Sequence, residues 1–153
     1  MARIVTAEQD TRSFLVGVQA ATRLRLSDAG LTPTWQQRFS FVQASFGVRG
    51  IHYEAWLQRG RSQVEVGLHM EADAALNGWL LCRFGEIWPE VAHALGPGFE
   101  LEQWTSSWGR IHSLFPYSAV DDDLVNLTGE QLARCIVTLE PLVADLLQRR
   151  RQR

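Results

Sequence analysis

Apolar residues recur along the chain with two different periods, and the switches between them divide it into elements. From residue 6 to residue 29, Phe14, Leu15, Val18, Ala21 and Leu24 fall at helical intervals. Thr6 and Gln9 stand in capping-box spacing before them and Gly30 follows, which predicts a helix with one core-facing stripe. The next segment, LTPTWQQRFSFVQASFG, fits two readings. Trp35, Phe39, Val42 and Phe46 share one helical face, while WQQRFSF half-alternates like a strand; the aromatic spacing favours a short helix.

Between Ile51 and Met70 the period becomes two, with Gly60 at the centre of a polar turn, and this predicts a β-hairpin. A two-residue Gly60-Arg61 loop pairs Leu57 with Val64, Ala55 with Val66, Tyr53 with Leu68 and Ile51 with Met70, so every apolar residue falls on one face. A slip of one residue would destroy that match.

Helical spacing returns over residues 73–95, through Leu76, Leu80, Phe84, Ile87, Val91 and Leu95, with Pro89 set to kink or divide the helix and Gly96-Pro97 to end it. FELEQW and GRIHSLF around the polar TSSW turn then predict a second hairpin, with Phe99, Leu101, Ile111 and Phe115 directed inward. DDDLVN reads as a connector, and Thr128 with Gln131 as the opening of a last helix carrying Leu132, Ile136, Leu139, Val143 and Leu146, with a kink at Pro141. Hairpins grouped between helices, without crossover alternation, define an α+β fold: an antiparallel four-stranded sheet of two hairpins with helices packed on one face. Residues 1–147 form one domain in this reading, and residues 148–153, QRRRQR, a basic C-terminal tail.

Composition narrows the function classes. At 153 residues, 46% hydrophobic and 21% charged, the chain resembles an ordinary globular domain able to bury a core unaided. All 15 basic residues are arginine. The absence of lysine excludes Schiff-base chemistry, a phosphate-loop lysine and a nuclease lysine. A net charge of −2 argues against a surface that tracks a phosphate backbone, and leaves the arginine-rich tail with Arg110 as the candidate contacts for nucleic acid. No apolar signal core and no run near the roughly 20 residues of a membrane span occur, so a cytoplasmic protein without membrane association is expected. Cys82 and Cys135 lack CxxC spacing and fall on apolar helix sides, as buried inert thiols would. No nucleotide-loop, zincin or hydrolase-elbow motif is present, and no cofactor is expected.

The hairpin register carries the candidate chemistry. It sets His52 opposite His69, Glu54 opposite Gly67 and Trp56 opposite Glu65 on the face away from the aliphatic residues. Directly opposed β-carbons lie about 4.5–5.5 Å apart, so both imidazoles can reach one metal or one ligand, with Glu71 or Glu54 as a third group. The second hairpin adds Glu100, Glu102, Trp104, Trp108, Arg110 and His112 to that face if it joins the same sheet. His52, Glu54, Trp56, His69, Trp104, Arg110 and His112 therefore make a candidate face for a protein partner or a small ligand. His52, His69 and Glu71 are the metal candidates. Against both stands the rule that an antiparallel sheet packed on one side shows polar residues on the other without any function. Asp121, Asp122 and Asp123 lack the calcium-loop pattern and read as a solvated connector.

The segments GIHYEAWLQRGRSQVEVGLHME, IWPEVAHALG and FELEQWTSSWGRIH, with the closing amphipathic helix, resemble a prokaryotic domain family of unknown function, often found at the C-terminus of restriction-endonuclease-like proteins. The resemblance spans about Phe46 to Leu147. It implies a DNA-associated or genome-defence context and transfers no catalytic residues. A cutting domain of that kind needs a carboxylate and a lysine on one strand, and the nearest analogue, Glu65-Val66-Gly67, lacks the lysine. The expectation is a non-enzymatic accessory module that binds a ligand or partner through the Trp and His face. The alternatives are a metal-dependent enzyme centred on His52 and His69, and nucleic-acid binding through the tail.

Overall fold

The computed structural model describes residues 7–153, with side chains from residue 11 onward. Its elements run α1 (Ala7–Asp28), β1 (Thr34–Arg38), β2 (Phe41–Ser45), β3 (Ile51–Gln58), β4 (Gln63–Met70), α2 (Ala74–Glu86), α3 (Trp88–Leu95), β5 (Phe99–Gln103), β6 (Gly109–Pro116) and α4 (Asp122–Arg151). The class is α+β with an antiparallel sheet. The sheet has six strands in the order β1-β2-β3-β4-β6-β5, where the hydrophobic pattern predicts four.

The extra pair comes from the ambiguous segment. Residues 34–45 form a hairpin and not the helix that the aromatic spacing favours. Phe39 sits at its turn, 93% exposed with φ of 42°, so it never joins the stripe that made a helix plausible. What decides is the partner strand: Val42 and Ala44 lie opposite Ala55 and Tyr53 and are fully buried, so the alternation of β2 is completed by β3.

The β3–β4 register is the predicted one, from Ile51 opposite Met70 to Leu57 opposite Val64. The loop is longer than two residues: a 3-10 turn over Arg59–Arg61 precedes Ser62, which takes a left-handed conformation. That four-residue connection keeps the same pairing because it adds one residue to each side. Pro89 divides the next helix as expected. α2 ends at Glu86, α3 starts at Trp88, and Pro89 occupies the first turn, where no backbone N–H is required.

α4 begins six residues before the predicted cap. Asp121 is its N-cap, accepting a 2.9 Å hydrogen bond from the Leu124 N–H, with Asp122 and Asp123 in the first turn. DDDLVN is thus the start of a helix and not a connector, and Thr128 is buried inside it. The helix continues past Pro141 to Arg151, so four of the six tail residues are helical. In α1 the inward row runs through Thr22 and Leu26, while Leu24 is 73% exposed. The Thr6 cap lies outside the described residues.

Between the helices and one face of the sheet lies a single core. Val42, Ala44, Tyr53, Ala55, Leu57, Val64, Val66, Leu68 and Ile111 meet Phe14, Leu15, Leu80, Phe84, Leu132, Ile136 and Leu139. Cys135 belongs to it and burial raises its thiol pKa; Cys82, in contrast to the expected buried thiol, is exposed. Among the described residues no helix is long and apolar enough to cross a membrane.

Candidate functional site: a buried polar cluster on the open sheet face

Alternation delivers a defined set of side chains to the face turned away from the helices. In cross-strand rows these are Ser45, His52, His69, Arg110 and Glu102; then Gln43, Glu54, Gly67, His112 and Glu100; then Phe41, Trp56, Glu65 and Leu114. The expected polar face exists, and both hairpins contribute to it. It is not the solvated surface that alternation alone implies. Glu65 and His69 are each 1% exposed and His112 4%, with His52 and Glu54 also buried.

Two features explain that burial without a covering helix. Gly67 leaves a side-chain gap in the middle row. A β-carbon there would stand 2.4 Å from the Ile111 carbonyl oxygen and 2.7 Å from the His112 β-carbon. Strands β4 and β6 therefore approach closely, with His112 packed against Gly67. The second feature is Trp104, at the start of the β5–β6 turn, which stacks over Arg110 at 4.5 Å and stands 5.6 Å from the His69 ring. The turn that carries it is closed by a 3.1 Å bond from the Trp104 N–H to the Trp108 carbonyl.

Within the cluster His69 is the centre. Its Nε2 lies 2.5 Å from Glu65, and its Nδ1 lies 3.1 Å from Glu71 and 3.5 Å from Glu54. Burial opposes a charge on this ring, but the bonds to Glu65 and Glu71 and the charges of Glu54 and Glu65 outweigh it and raise the pKa to about 9. His69 is therefore an imidazolium donating from both nitrogens. Burial likewise works against an ionised Glu65, yet the bond from His69, with Arg110 and His112 nearby, holds its carboxyl below the usual range. For Glu71, too, burial is outweighed by the nearby imidazoles, chiefly through the bond from the charged His69, and its pKa is lowered. Glu54 differs: burial dominates and raises its pKa, although Gln43 donates to it at 2.8 Å.

His52 faces His69 with ring centroids 5.6 Å apart, as the register predicts. Burial, followed by the charge on His69, lowers its pKa to about 4, so it is neutral. Its Nε2 is buried without a hydrogen-bond partner. Arg110 is fully engaged, bonded to Glu65 at 3.1 Å and to Glu102 at 2.6 Å. His112 lies farther out, 3.6 Å from Glu102, with its pKa lowered by burial and by Arg110.

Over this floor lies a cleft of about 210 Å³ whose walls include Phe41, Trp56 and Trp104 and whose base includes Glu54, His69 and Glu71. The Trp56 indole N–H donates to Ser40 at 3.1 Å, which fixes the ring at the rim. A larger groove continues beside Trp56 toward Arg59 and Leu114. Sequence reasoning placed His52, Glu54, Trp56, His69, Trp104, Arg110 and His112 on one face, and the structure brings them together. It missed Glu65, which was paired with Trp56 but given no role and is the most deeply bonded carboxylate of the set. Its position two residues before Gly67 and four before His69 was the available signal.

The arginine-rich chain end is remote from this chemistry. Arg149 pairs with Asp145 at 3.0 Å, and Arg150 lies 5.9 Å from the Trp79 ring at the end of α4. Comparison with protein-family models, with curated proteins and with solved structures gives no match to this chain.

Proposed function

We propose that the chain is a binding module whose open sheet face takes a positively charged ligand in the cleft beneath Trp56 and Trp104. One observation carries the reading: the carboxylates of Glu54 and Glu71 line a cleft walled by Phe41, Trp56 and Trp104, and the nearby Arg110 is bonded instead to Glu65 and Glu102, so that His69 alone faces both cleft carboxylates among the described cations. Burying ionised groups is costly unless they are paired, and the Glu71 carboxylate, 20% exposed, remains within reach of a cation entering the cleft. The tryptophan faces add attraction for positive charge. Phosphate is disfavoured by the same carboxylates, so nucleic-acid binding at this face lacks support. The resemblance to domains appended to restriction-endonuclease-like proteins supports an accessory role beside another protein.

Tryptophan fluorescence offers the test, since Trp56 and Trp104 line the cleft. Titration with zinc chloride and with methylguanidinium should give a saturable change for at least one of them, and none with sodium phosphate. The Trp56→Ala/Trp104→Ala pair, read by calorimetry because it lacks both probes, should lose methylguanidinium binding while its far-UV circular dichroism stays unchanged. Saturation by phosphate with neither cation bound would sink the idea.

A further inference from the structure

His52 distinguishes this cluster from a network of mutually satisfied ion pairs. The residue is only 9% exposed, its Nε2 has no hydrogen-bond partner, and that atom points at two carboxylates that stand too far away to bond to it. The separations are 3.8 Å to Glu71 and 3.9 Å to Glu54. Buried polar atoms without partners are rare and call for an explanation. On the opposing strand His69 Nδ1 stands 3.1 Å from the same Glu71 and 3.5 Å from the same Glu54. Each carboxylate therefore lies between both imidazoles.

Those spacings match one coordination geometry. Zinc holds histidine nitrogen and carboxylate oxygen at about 2.0–2.2 Å in a tetrahedron, whose edges are then about 3.4 Å. The nitrogen–oxygen separations of 3.1–3.9 Å bracket that edge, with each imidazole facing a different oxygen of each carboxylate. Donor atoms of His52, His69 and Glu71 all lie within 4.8 Å of one another. Resting on the cation-binding reading above, we propose that the cation is a divalent first-row transition ion, zinc in the first instance, held by His52 Nε2, His69 Nδ1 and a carboxylate oxygen of Glu71, with Glu54 beside it.

The surroundings agree with that assignment. Glu65 accepts from His69 Nε2, the carboxylate–histidine arrangement that orients a metal-binding ring and presents its other nitrogen to the ion. A proton on Nδ1 is released to solvent as the ion enters, and the other stays on Nε2, donated to Glu65. Two imidazoles select against calcium and magnesium, which take oxygen ligands. Glu71, with its side chain 20% exposed at the cleft, gives the ion a way in. The group Glu100, Glu102 and His112 has comparable spacing, but Glu102 is occupied by Arg110.

Zinc titration of the EDTA-treated, dialysed protein, read by calorimetry and by competition with a chromophoric chelator, tests the proposal. One equivalent should bind, and cobalt(II) substitution should give the intense visible bands of a tetrahedral site. His52→Ala removes a ring that makes no hydrogen bond, so the variant should fold and bind zinc about 100-fold more weakly. Glu71→Gln, at the edge of the site, should also weaken it, and Glu65→Gln by about 10–100-fold. Zinc affinity unchanged in both His52→Ala and Glu71→Gln overturns the assignment. Absence of zinc binding with methylguanidinium still bound overturns the metal alone, and absence of both overturns the cation reading with it.

Discussion

Each strand of the central hairpin carries the triplet His-x-Glu, His52 to Glu54 and His69 to Glu71, and antiparallel pairing sets the two histidines face to face. The local two-fold relation of such a pair then puts one glutamate on either side of the imidazoles. Opposite each glutamate stands a glycine. Gly67 pairs with Glu54, and the Gly50 carbonyl accepts a 2.7 Å bond from the Glu71 N–H. A β-carbon at Gly50 would meet the Ala72 backbone and one at Gly67 the Ile111 carbonyl, so both glycines allow the close approach of backbone that brings these strands together. Glu65 completes the set from below, and its removal has a cost of its own. Glu65→Ala leaves the buried His69 and the partly buried Arg110 short of their shared anion. Breaking a buried ion pair from one side costs on the order of 3 kcal/mol, which urea denaturation at pH 7 will register as a lower midpoint with unchanged slope. Sequence alternation placed Glu65 on this face, but nothing local to residue 65 says that it is 1% exposed.

At the scale of elements, legibility followed the strength of the period. The β3–β4 pairing was readable because alternation over eight residues on each strand admits one register that buries every aliphatic side chain. β1 and β2 are five residues each, and Trp35, Phe39, Val42 and Phe46 fit a helical face as well as a hairpin. Only hydrogen bonding to β3 resolves that tie, and β3 is not contiguous with β1. α4 shows a different source of error. The Thr128–Gln131 spacing imitates a capping box, but Asp121 supplies the actual cap seven residues earlier, with two further aspartates favouring the positive end of the helix dipole. Asp121→Ala should lower stability by about 1 kcal/mol, whereas Asp123→Ala should cost less, because it removes only a dipole interaction. Thermal unfolding of the two variants side by side will show whether the helix begins where the cap places it.

For the whole molecule, the consequence is a division between two faces of one sheet. The helices and one face form the aliphatic core, and the other face holds charge without a helix to cover it. If that face binds zinc, the folded state gains whatever the ion contributes. At free zinc a hundredfold above its dissociation constant the gain is about 2.7 kcal/mol, which for a domain of this size raises the melting temperature by roughly 5–10 °C. Differential scanning calorimetry should show that rise in the unaltered protein and little of it in His52→Ala. The sequence by itself determined the α+β class, the central hairpin with its register, the division at Pro89, and the gathering of His52 and His69 on one side, because each follows from side-chain period and backbone restriction within a short stretch. Tertiary structure decided the strand count, the true start of α4 and the burial of the polar face. Those depend on which distant strand completes a pair, on the close approach of β4 and β6 at Gly67, and on Trp104 folding back over Arg110. Burial is a property of everything that surrounds a residue, and for the His-x-Glu pairs the surroundings come from three further strands, β2, β5 and β6, and from a turn, all outside their own hairpin.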